Sequence, residues 1–488
     1  MTYVCYDVKG IQSFIFKVPQ LKHIIGGSAI IDRFDREIVP SLVIDGTELI
    51  SNAGGKGAFK CATNESANRI EHAIVGKGHE FGLEIRIGRG DTFKVASKTA
   101  GKTYSFLPSD FTGHPCEASG LYPTTGKTHS VVKSREGGLQ YFEEALQNEL
   151  KGEEFATGFS FFNNPQTQAD VLGNRNRWAI ICMDGNDMGA QYRDKEMQSD
   201  LQDIDAEWLR KMSVALDECT RKATCAGITE VVTKWREDGG TGNILPVRPL
   251  VVGGDDVIVL CHCAYAFDFV RETCRVFNRI SKLPGRESFW PATGGEVTIS
   301  AGVLFAPVTY PLHTAIPYAE SLLASAKSAG RKANESKAKT ASPSSIDWES
   351  VTEGLLDTPA ARRHRELRFF DEGAGYGLQL TKRPYLLSDF ERLQEKAGCL
   401  VTMPASVRAS VLPSLRQPLN ERLAFYAQIK KNHKPIFDAL QEFDRTLSTG
   451  WTKTASCNGE DYYETDIIDA FLLLEEKTRM EKPTRGGN

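Results

Sequence analysis

The sequence predicts an α+β fold in which one unit occurs twice and a mostly helical region follows. Three observations predict it. Residues 1–105 and 173–340 each read as strand, helix, hairpin, helix, strand. Each hairpin carries a glycine pair, Gly54-Gly55 and Gly253-Gly254. Beyond residue 340 the apolar spacing is chiefly that of helices. The duplication lies at the level of fold, with no short sequence repeat.

The 488 residues leave room for three or four domains at roughly 100–200 residues each. A hydrophobic fraction of 41% and a charged fraction of 25% exclude whole-chain disorder and fibrous folds. With 59 Lys and Arg against 63 Asp and Glu, the net charge of −4 gives no chain-wide basic surface for duplex binding. No apolar run approaches the ~18 residues of a membrane span, so no membrane partner is expected. The start, Met1 to Asp7, lacks the basic and apolar regions of a signal peptide. Eleven cysteines, without any C-x-x-C pair, fit reduced thiols and a cytoplasmic protein.

In the first unit, Tyr3–Val8 is a strand and Ile11–Phe16 and Leu21–Phe34 are helical. Glu48–Asn52 and Ala58–Cys61 flank the turn Gly54-Gly55-Lys56-Gly57, Glu65–Val75 is a helix and Leu83–Ile87 a strand. Residues 106–172, rich in Pro, Gly, Ser, Thr and Asn, form a connector with one helix near Leu139–Leu150. In the second unit, Arg177–Met183 is a strand, Asp203–Cys225 a helix, and Leu250–Val252 with Val257–Cys261 a hairpin. Ala264–Ile280 is a helix, Val297–Phe305 a strand and Ile316–Ala329 a helix. A boundary near 340 precedes the region 341–488, with helices at Asp389–Lys396, Leu419–Lys430, Lys434–Thr446 and Asp466–Lys477.

Three features carry chemistry. Gly253-Gly254-Asp255-Asp256 joins two apolar, β-branched strands. Alone, this is also ordinary solvated-turn chemistry. The flanks decide, because adjacent acids in a buried sheet repel and lose hydration unless a cation offsets them. Mg²⁺ or Mn²⁺ suits carboxylate oxygens, and the glycines let a triphosphate approach the backbone. Second, Met183-Asp184-Gly185-Asn186-Asp187 ends the apolar strand. Two metals about 3.5–4 Å apart need carboxylates from two strands, which Asp184, Asp255 and Asp256 would supply. Third, Lys327 and Arg331 share a helix face and could grip the triphosphate, although cations late in a helix are also favoured by its dipole.

The order of these features, closing with Ala-Lys-x-x-Gly-Arg at Ala326–Arg331, resembles the palm of class III-type nucleotide cyclases and of GGDEF diguanylate cyclases. The Asp-Asp-Val ending argues against cyclic di-GMP. Gly10-Ile11-Gln12-Ser13-Phe14-Ile15-Phe16, with Leu21–Ser28, resembles the first palm of the type III CRISPR large subunit. That resemblance implies two ferredoxin-like palms, a C-terminal helical domain and synthesis of cyclic oligoadenylates from ATP. It covers about residues 1–105 and 173–335. The hairpin of the first palm lacks acids, so Lys56 and the cluster Gly26-Gly27-Ser28 would bind the acceptor nucleotide without metal, the latter through helix-end amides. Asn186 stands where the family commonly has an acid, which implies a weaker metal site. The family often begins with a His-Asp nuclease domain. This sequence opens on the first palm and holds no His-Asp dipeptide, so no such nuclease is expected.

Three rival functions follow. The first is a nucleotidyltransferase or cyclase that joins nucleoside triphosphates, ATP above others, into a cyclic or linear second messenger of antiviral defence. Two divalent cations would serve as cofactors. Its partners would be an activating RNA or effector-complex subunits, and a downstream effector that recognises the oligonucleotide. The second is a scaffold subunit of an RNA-guided complex. The third, a templated polymerase, ranks last for want of a basic groove. Cys261-His262-Cys263 reads as strand with His262 on the opposite face from both thiols, and Lys332, Lys337 and Lys339 as a solvated linker.

Pro115-Cys116 resembles the decayed remnant of a four-cysteine zinc module. His114, Cys116 and His129 are three irregularly spaced donors where a structural zinc takes four. Elemental analysis of the purified protein should find no zinc; one equivalent surviving dialysis against a weak chelator would show a site in the connector.

Overall fold

The computed structural model describes residues 1–16, 21–99, 102–104, 146–147, 159–162, 171, 177–198, 206–335, 340–351, 357–371, 375–398, 400–401, 403–417, 419–432, 434–435, 437–438, 453–457 and 460–478. Cys116, His114, His129, Lys337 and Lys339, most of the connector and most of the helix expected at 434–446 lie outside these residues.

The first unit contains β1 (Thr2–Lys9), α1 (Ile11–Phe16), α2 (Leu21–Arg33), β2 (Thr47–Ala53), β3 (Lys56–Cys61), α3 (Asn64–Glu80), β4 (Glu84–Gly90), α4 (Phe93–Lys98) and β5 (Lys102–Tyr104). Its sheet has the order β2-β3-β1-β4-β5. The helix α3 starts where Thr63 and Ser66 form a reciprocal cap, Thr63 Oγ1 accepting from Ser66 N at 3.1 Å. Its buried face, Ala67, Ile70 and Ile74, recurs at three and four residues and lies on the sheet.

After β6 (Ser160–Phe161), the second unit contains β7 (Arg177–Gly185), α5 (Met188–Gln198), α6 (Ala206–Glu237), β8 (Ile244–Leu245), β9 (Val247–Gly253) and β10 (Asp256–His262). It continues through α7 (Ala266–Ser281), β11 (Ile299–Pro307) and α8 (Leu312–Asn334). The order β9-β10-β7-β11 repeats β2-β3-β1-β4, and every one of these pairings is antiparallel. The likeness extends to a defect. Ile50 in β2 and Leu250 in β9 are each the unpaired extra residue of a bulge, three residues before the end of their strand. Both are buried.

This alignment corrects the equivalence of the hairpins. Lys56 pairs with Asp7 as Asp256 pairs with Asp184. Lys56 is therefore the counterpart of Asp256, Gly55 of Asp255 and Gly54 of Gly254; matching the glycine pairs by sequence is one residue out. Gly54 and Gly254 share φ +60°, the conformation the turn demands. Only the first hairpin also has positive φ at its next residue, Gly55, where Asp255 stands in the second.

The two units share a core. Val4, Tyr6, Val8 and Phe34 join Trp178, Ile180, Cys182 and Ile258 in one hydrophobic cluster. The helix α6 packs on β2 of the first unit, and α2 on β9 of the second. Gly302 in β11 lets α8 lie close, since a Cβ there would come within 2.2 Å of Ala319 O.

The sheet of the second unit does not stop at 340. It adds β12 (Ser345–Ser350), parallel to β11. The region beyond contains α9 (Pro359–Leu367), β13 (Arg368–Asp371), β14 (Tyr376–Gln379), β15 (Tyr385–Leu386), α10 (Leu387–Gly398), α11 (Ala405–Leu415), α12 (Leu419–Asn432), β16 (Lys453–Cys457), β17 (Glu460–Glu464) and α13 (Ile467–Thr478). β15 pairs with β12, and β13-β14-β17-β16 form a separate sheet. The C-terminal region thus mixes strands with its helices, and its first strand belongs to the sheet of the second unit. These strands are short and carry charged or polar residues, which hid them from a periodicity argument.

A buried ionic network docks the region. Arg363 makes a bidentate bond to Asp347 of β12 at 2.7 and 2.9 Å. Arg383 donates to Asp469 of α13 at 2.9 Å and to Trp348 O at 2.6 Å. Asp469 also accepts from Tyr385 Oη, Thr381 Oγ1 and Lys382 N. Asp469→Ala leaves Arg383 with Glu349 at 3.2 Å as its acid partner and removes the acceptor of Tyr385, Thr381 and Lys382 N. Loss of one partner of a buried pair should cost about 3 kcal/mol, read as a lower midpoint in chemical denaturation, and a change below about 1 kcal/mol would show the network to be dispensable.

Candidate functional site

Two antiparallel strands bring the second unit's acids together. Asp184, the penultimate residue of β7, stands directly opposite Asp256, the first residue of β10. Like charges in that position repel. The Asp255 backbone approaches the same strand end, its carbonyl accepting from Gly185 N at 3.2 Å. Thr220 Oγ1 of α6 donates to Gly254 O at 2.6 Å and fixes the other side of the turn.

The electrostatics follow from this crowding. Desolvation, then the charges of Asp184 and Asp256, push Asp255 well above the usual carboxylate range. Asp256 is raised to about 6, by desolvation first and then by Asp184, although its side chain reaches the surface; Lys327 and Lys56 act in the opposite direction. Lys327 Nζ donates to Asp184 Oδ2 and, at 2.8 Å, to Gly185 O. The helix face predicts a triphosphate partner for this ammonium; in the structure it pairs with Asp184, because the like-charged strand end attracts the nearest cation. Arg331 is exposed one turn further along α8.

A cleft of about 960 Å³ lies between the two units. Gly253, Gly254 and Asp256 border it from the second unit, and Asp7, Ser28, Asp35 and Lys56 from the first. Gly26, Gly27 and Ser28 lie in the interior of α2. Their amides serve the helix ladder, so the cluster offers no helix-end donors, and of the three only Ser28 borders the cleft. Lys56 is exposed at the hairpin opposite Asp7, and Arg86 approaches Asp7 at 4.0 Å. Arg36 of the first unit bonds Asp32 at 2.7 Å and crosses to Asp217 of α6 at 2.9 Å.

Sequence reasoning missed Asp35 and Glu320. Asp35 Oδ2 accepts from Gly55 N at 2.6 Å, and Tyr6 Oη donates to Oδ1 at 3.3 Å. Burial raises Asp35 to about 7, opposed by those two bonds. Glu320 is raised to about 7 by desolvation and then by Asp256. Its place seven residues before Lys327, on the same face of α8, was the available signal. Asn186 is buried and bonded to Thr298 and Ser300.

The donor set at the strand end is hard carboxylate oxygen in a repulsive arrangement, which fits Mg²⁺ or Mn²⁺. Against this, among the described residues no three His, Cys, Asp or Glu side chains converge as a formed metal cage. Lys327 holds one of the oxygens a cation would use.

Comparisons with known proteins agree with this architecture. Residues 177–335 match the family model of the Cas10/Cmr2 second palm domain. The Csm1–Csm4 cassette crystallised with cA4 superposes with a TM-score of 0.56 at 13% identity, over 98% of this chain and 70% of that one. The cassette with AMPPNP gives 0.52 at 13% identity, over 99% and 70%. Csm1 of T. onnurineus gives 0.50 at 14% identity, over 98% and 69%. At such identities the likeness is one of fold. No curated protein matches the sequence. Among the described residues no helix is long and apolar enough to cross a membrane.

Asp35 supplies a test in pH. Its folded pKa of about 7 exceeds the ordinary carboxylate value of 3.8, so the native state holds the proton more tightly. This contribution is fully present below about pH 4 and is lost as pH rises toward 7. Asp35→Asn should flatten the decline in stability over that window, measured by denaturation at several pH values; an unchanged pH profile would reject the assignment.

Proposed function

We propose, for a Cas10-like chain whose second palm is of the Cas10/Cmr2 type, a nucleotidyltransferase that joins nucleoside triphosphates, ATP above others, into a cyclic or linear oligonucleotide. The carrying observation is the register that sets Asp184 against Asp256, the one acid of the three that borders the cleft between the two palms. A solvated turn has no need of two carboxyls, Asp255 and Asp256, held above the usual carboxylate range by desolvation and then by the charge of Asp184.

Asp184, Asp255 and Asp256 would hold two divalent cations. When bound, these lower the pKa of the attacking 3′-hydroxyl and neutralise the departing pyrophosphate. The chain's own residues bind and orient. Gly253 and Gly254 leave the hairpin open to the triphosphate. Lys327 would leave Asp184 for the phosphates once the acids are otherwise neutralised, with Arg331 beyond it. On the first palm, Lys56 stands where the second has Asp256. Its fixed positive charge disfavours a cation there and favours an acceptor phosphate, while Ser28 faces the same cleft.

The similar solved structures include Csm1–Csm4 cassettes, among them complexes with cA4, cA3 and AMPPNP. By analogy, this chain would be an effector-complex subunit in CRISPR defence, with a small subunit as partner, an activating RNA and a downstream effector for the product. The second reading, a non-catalytic scaffold, is favoured by one observation, the Lys327 bond that occupies Asp184.

Incubating the full chain with each nucleoside triphosphate and Mg²⁺ or Mn²⁺, followed by mass spectrometry, separates the two. The wild type should give an oligoadenylate, and the Asp255→Ala, Asp256→Ala double variant should fold yet give none. Full product from the folded double variant would reject the site, and no product from the wild type, with its complex partners and RNA supplied, would favour the scaffold.

A further inference from the structure

We infer that Asn186 is a positioning residue, which holds the end of β7 so that Asp184 stays in register with Asp256. The inference rests on the metal reading of Asp184 given above.

Asp184 is one residue from the point where β7 leaves the sheet. A strand end at that point frays unless it is tied down. Here the ties are numerous and fall on the two residues after Gly185. Asn186 N donates to Thr298 O at 2.8 Å. The Asn186 side chain, 4% exposed, donates from Nδ2 to Thr298 Oγ1 at 2.8 Å and to Ser300 Oγ at 2.9 Å, while Oδ1 lies 3.0 Å from the same Ser300 hydroxyl. Asp187 has φ +60°, in the left-handed region that aspartate enters more readily than most residues. It is held by Ser342 N, which donates to Asp187 Oδ2 at 2.8 Å.

The chemistry of the pocket selects a carboxamide. The partners of the Asn186 side chain are hydroxyls, and Asn186 supplies two donors to them and one acceptor. A carboxylate would supply no donor and would bury a charge without a cationic partner in that set. Asn186 is therefore no weakened metal ligand. Its amide is spent on the sheet, with its side chain turned to β11 instead of the cleft.

The same cluster reaches the C-terminal region. Ser345 N donates to Ser300 Oγ at 3.1 Å, and Thr298 Oγ1 donates to Ser342 O at 2.5 Å. Ser342 to Ser345 lead into β12, whose Asp347 is gripped by Arg363. The strand end that carries Asp184 is thus tied to the docking of the C-terminal region.

The test is Mn²⁺ titration of the full chain, followed by electron paramagnetic resonance, together with melting temperatures with and without Mn²⁺. Asn186→Ala should weaken Mn²⁺ binding about 10- to 100-fold, the range for residues that orient metal ligands, and should shrink the Mn²⁺-induced rise in melting temperature. Asn186→Asp should weaken binding also, whereas a vacated ligand position would bind more tightly with the acid restored. If Asn186→Ala does not fold, Thr298→Val removes one hydroxyl partner and should weaken binding in the same direction. Wild-type affinity in the folded variants, or tighter binding by Asn186→Asp, overturns the inference. Absence of Mn²⁺ binding by the wild type would instead overturn the metal reading and this inference with it.

Discussion

Asp184 and Asp256 are opposed across adjacent strands, and an antiparallel pair cannot move one without the other. Register along β7 and β10 is fixed by seven consecutive pairs, from Asp256↔Asp184 to His262↔Trp178. Both faces of these strands are apolar and buried, with Ile180, Cys182 and Ile258 in one core and Ile181, Met183 and Val257 in the other, so a slip by one residue would exchange side chains between two differently packed cores. The hydrophobic core therefore pays the cost of holding two acids together. What relieves their repulsion is local and small, chiefly one ammonium from α8, with Lys56 of the first palm adding less. That helix can approach only because Gly302 leaves space beneath it.

The first palm is an internal comparison. It has the same strand order, the same bulge and the same left-handed glycine at the turn, yet Asp7 faces Lys56 instead of a second acid. Its repulsion is gone, and with it the reason to bind a cation. Asp35 takes over at the turn by accepting from Gly55 N, a bond that replaces none of the hairpin carboxylates but stiffens the loop that presents Lys56. One scaffold thus carries two charge patterns that face each other across a single cleft. Lys56 lowers Asp256, as the least of the influences on that acid.

Much of this was legible in the sequence. Alternating β-branched runs around Gly253–Asp256 gave the hairpin, and the apolar run ending at Asp184 gave its partner strand. Two features were hidden for different physical reasons. The exact match between hairpins depends on a bulge, and Ile50 and Leu250 look like any other apolar strand residues until the pairing is seen. The targets of Lys327 and Asn186 depend on which groups lie across the sheet, over separations of more than 100 residues. Spacing along the chain reports the face a side chain takes, not its partner. Similarly, the strand β12 is short and contains Asp347 and Glu349, acids that become credible in a core only once Arg363 and Arg383 are placed beside them.

The location of that ionic network bears on how such a site could be controlled. A hydrophobic interface between β12 and the C-terminal region would tolerate small shifts in docking. The buried ion pairs, Arg363 bidentate on Asp347 and Arg383 on Asp469, do not, because each charge left unpaired costs several kcal/mol. β12 lies beside β11, and β11 carries Ser300, which ties the end of β7. A displacement of the C-terminal region large enough to break Arg363 from Asp347 would then be felt within two strands at Asp184.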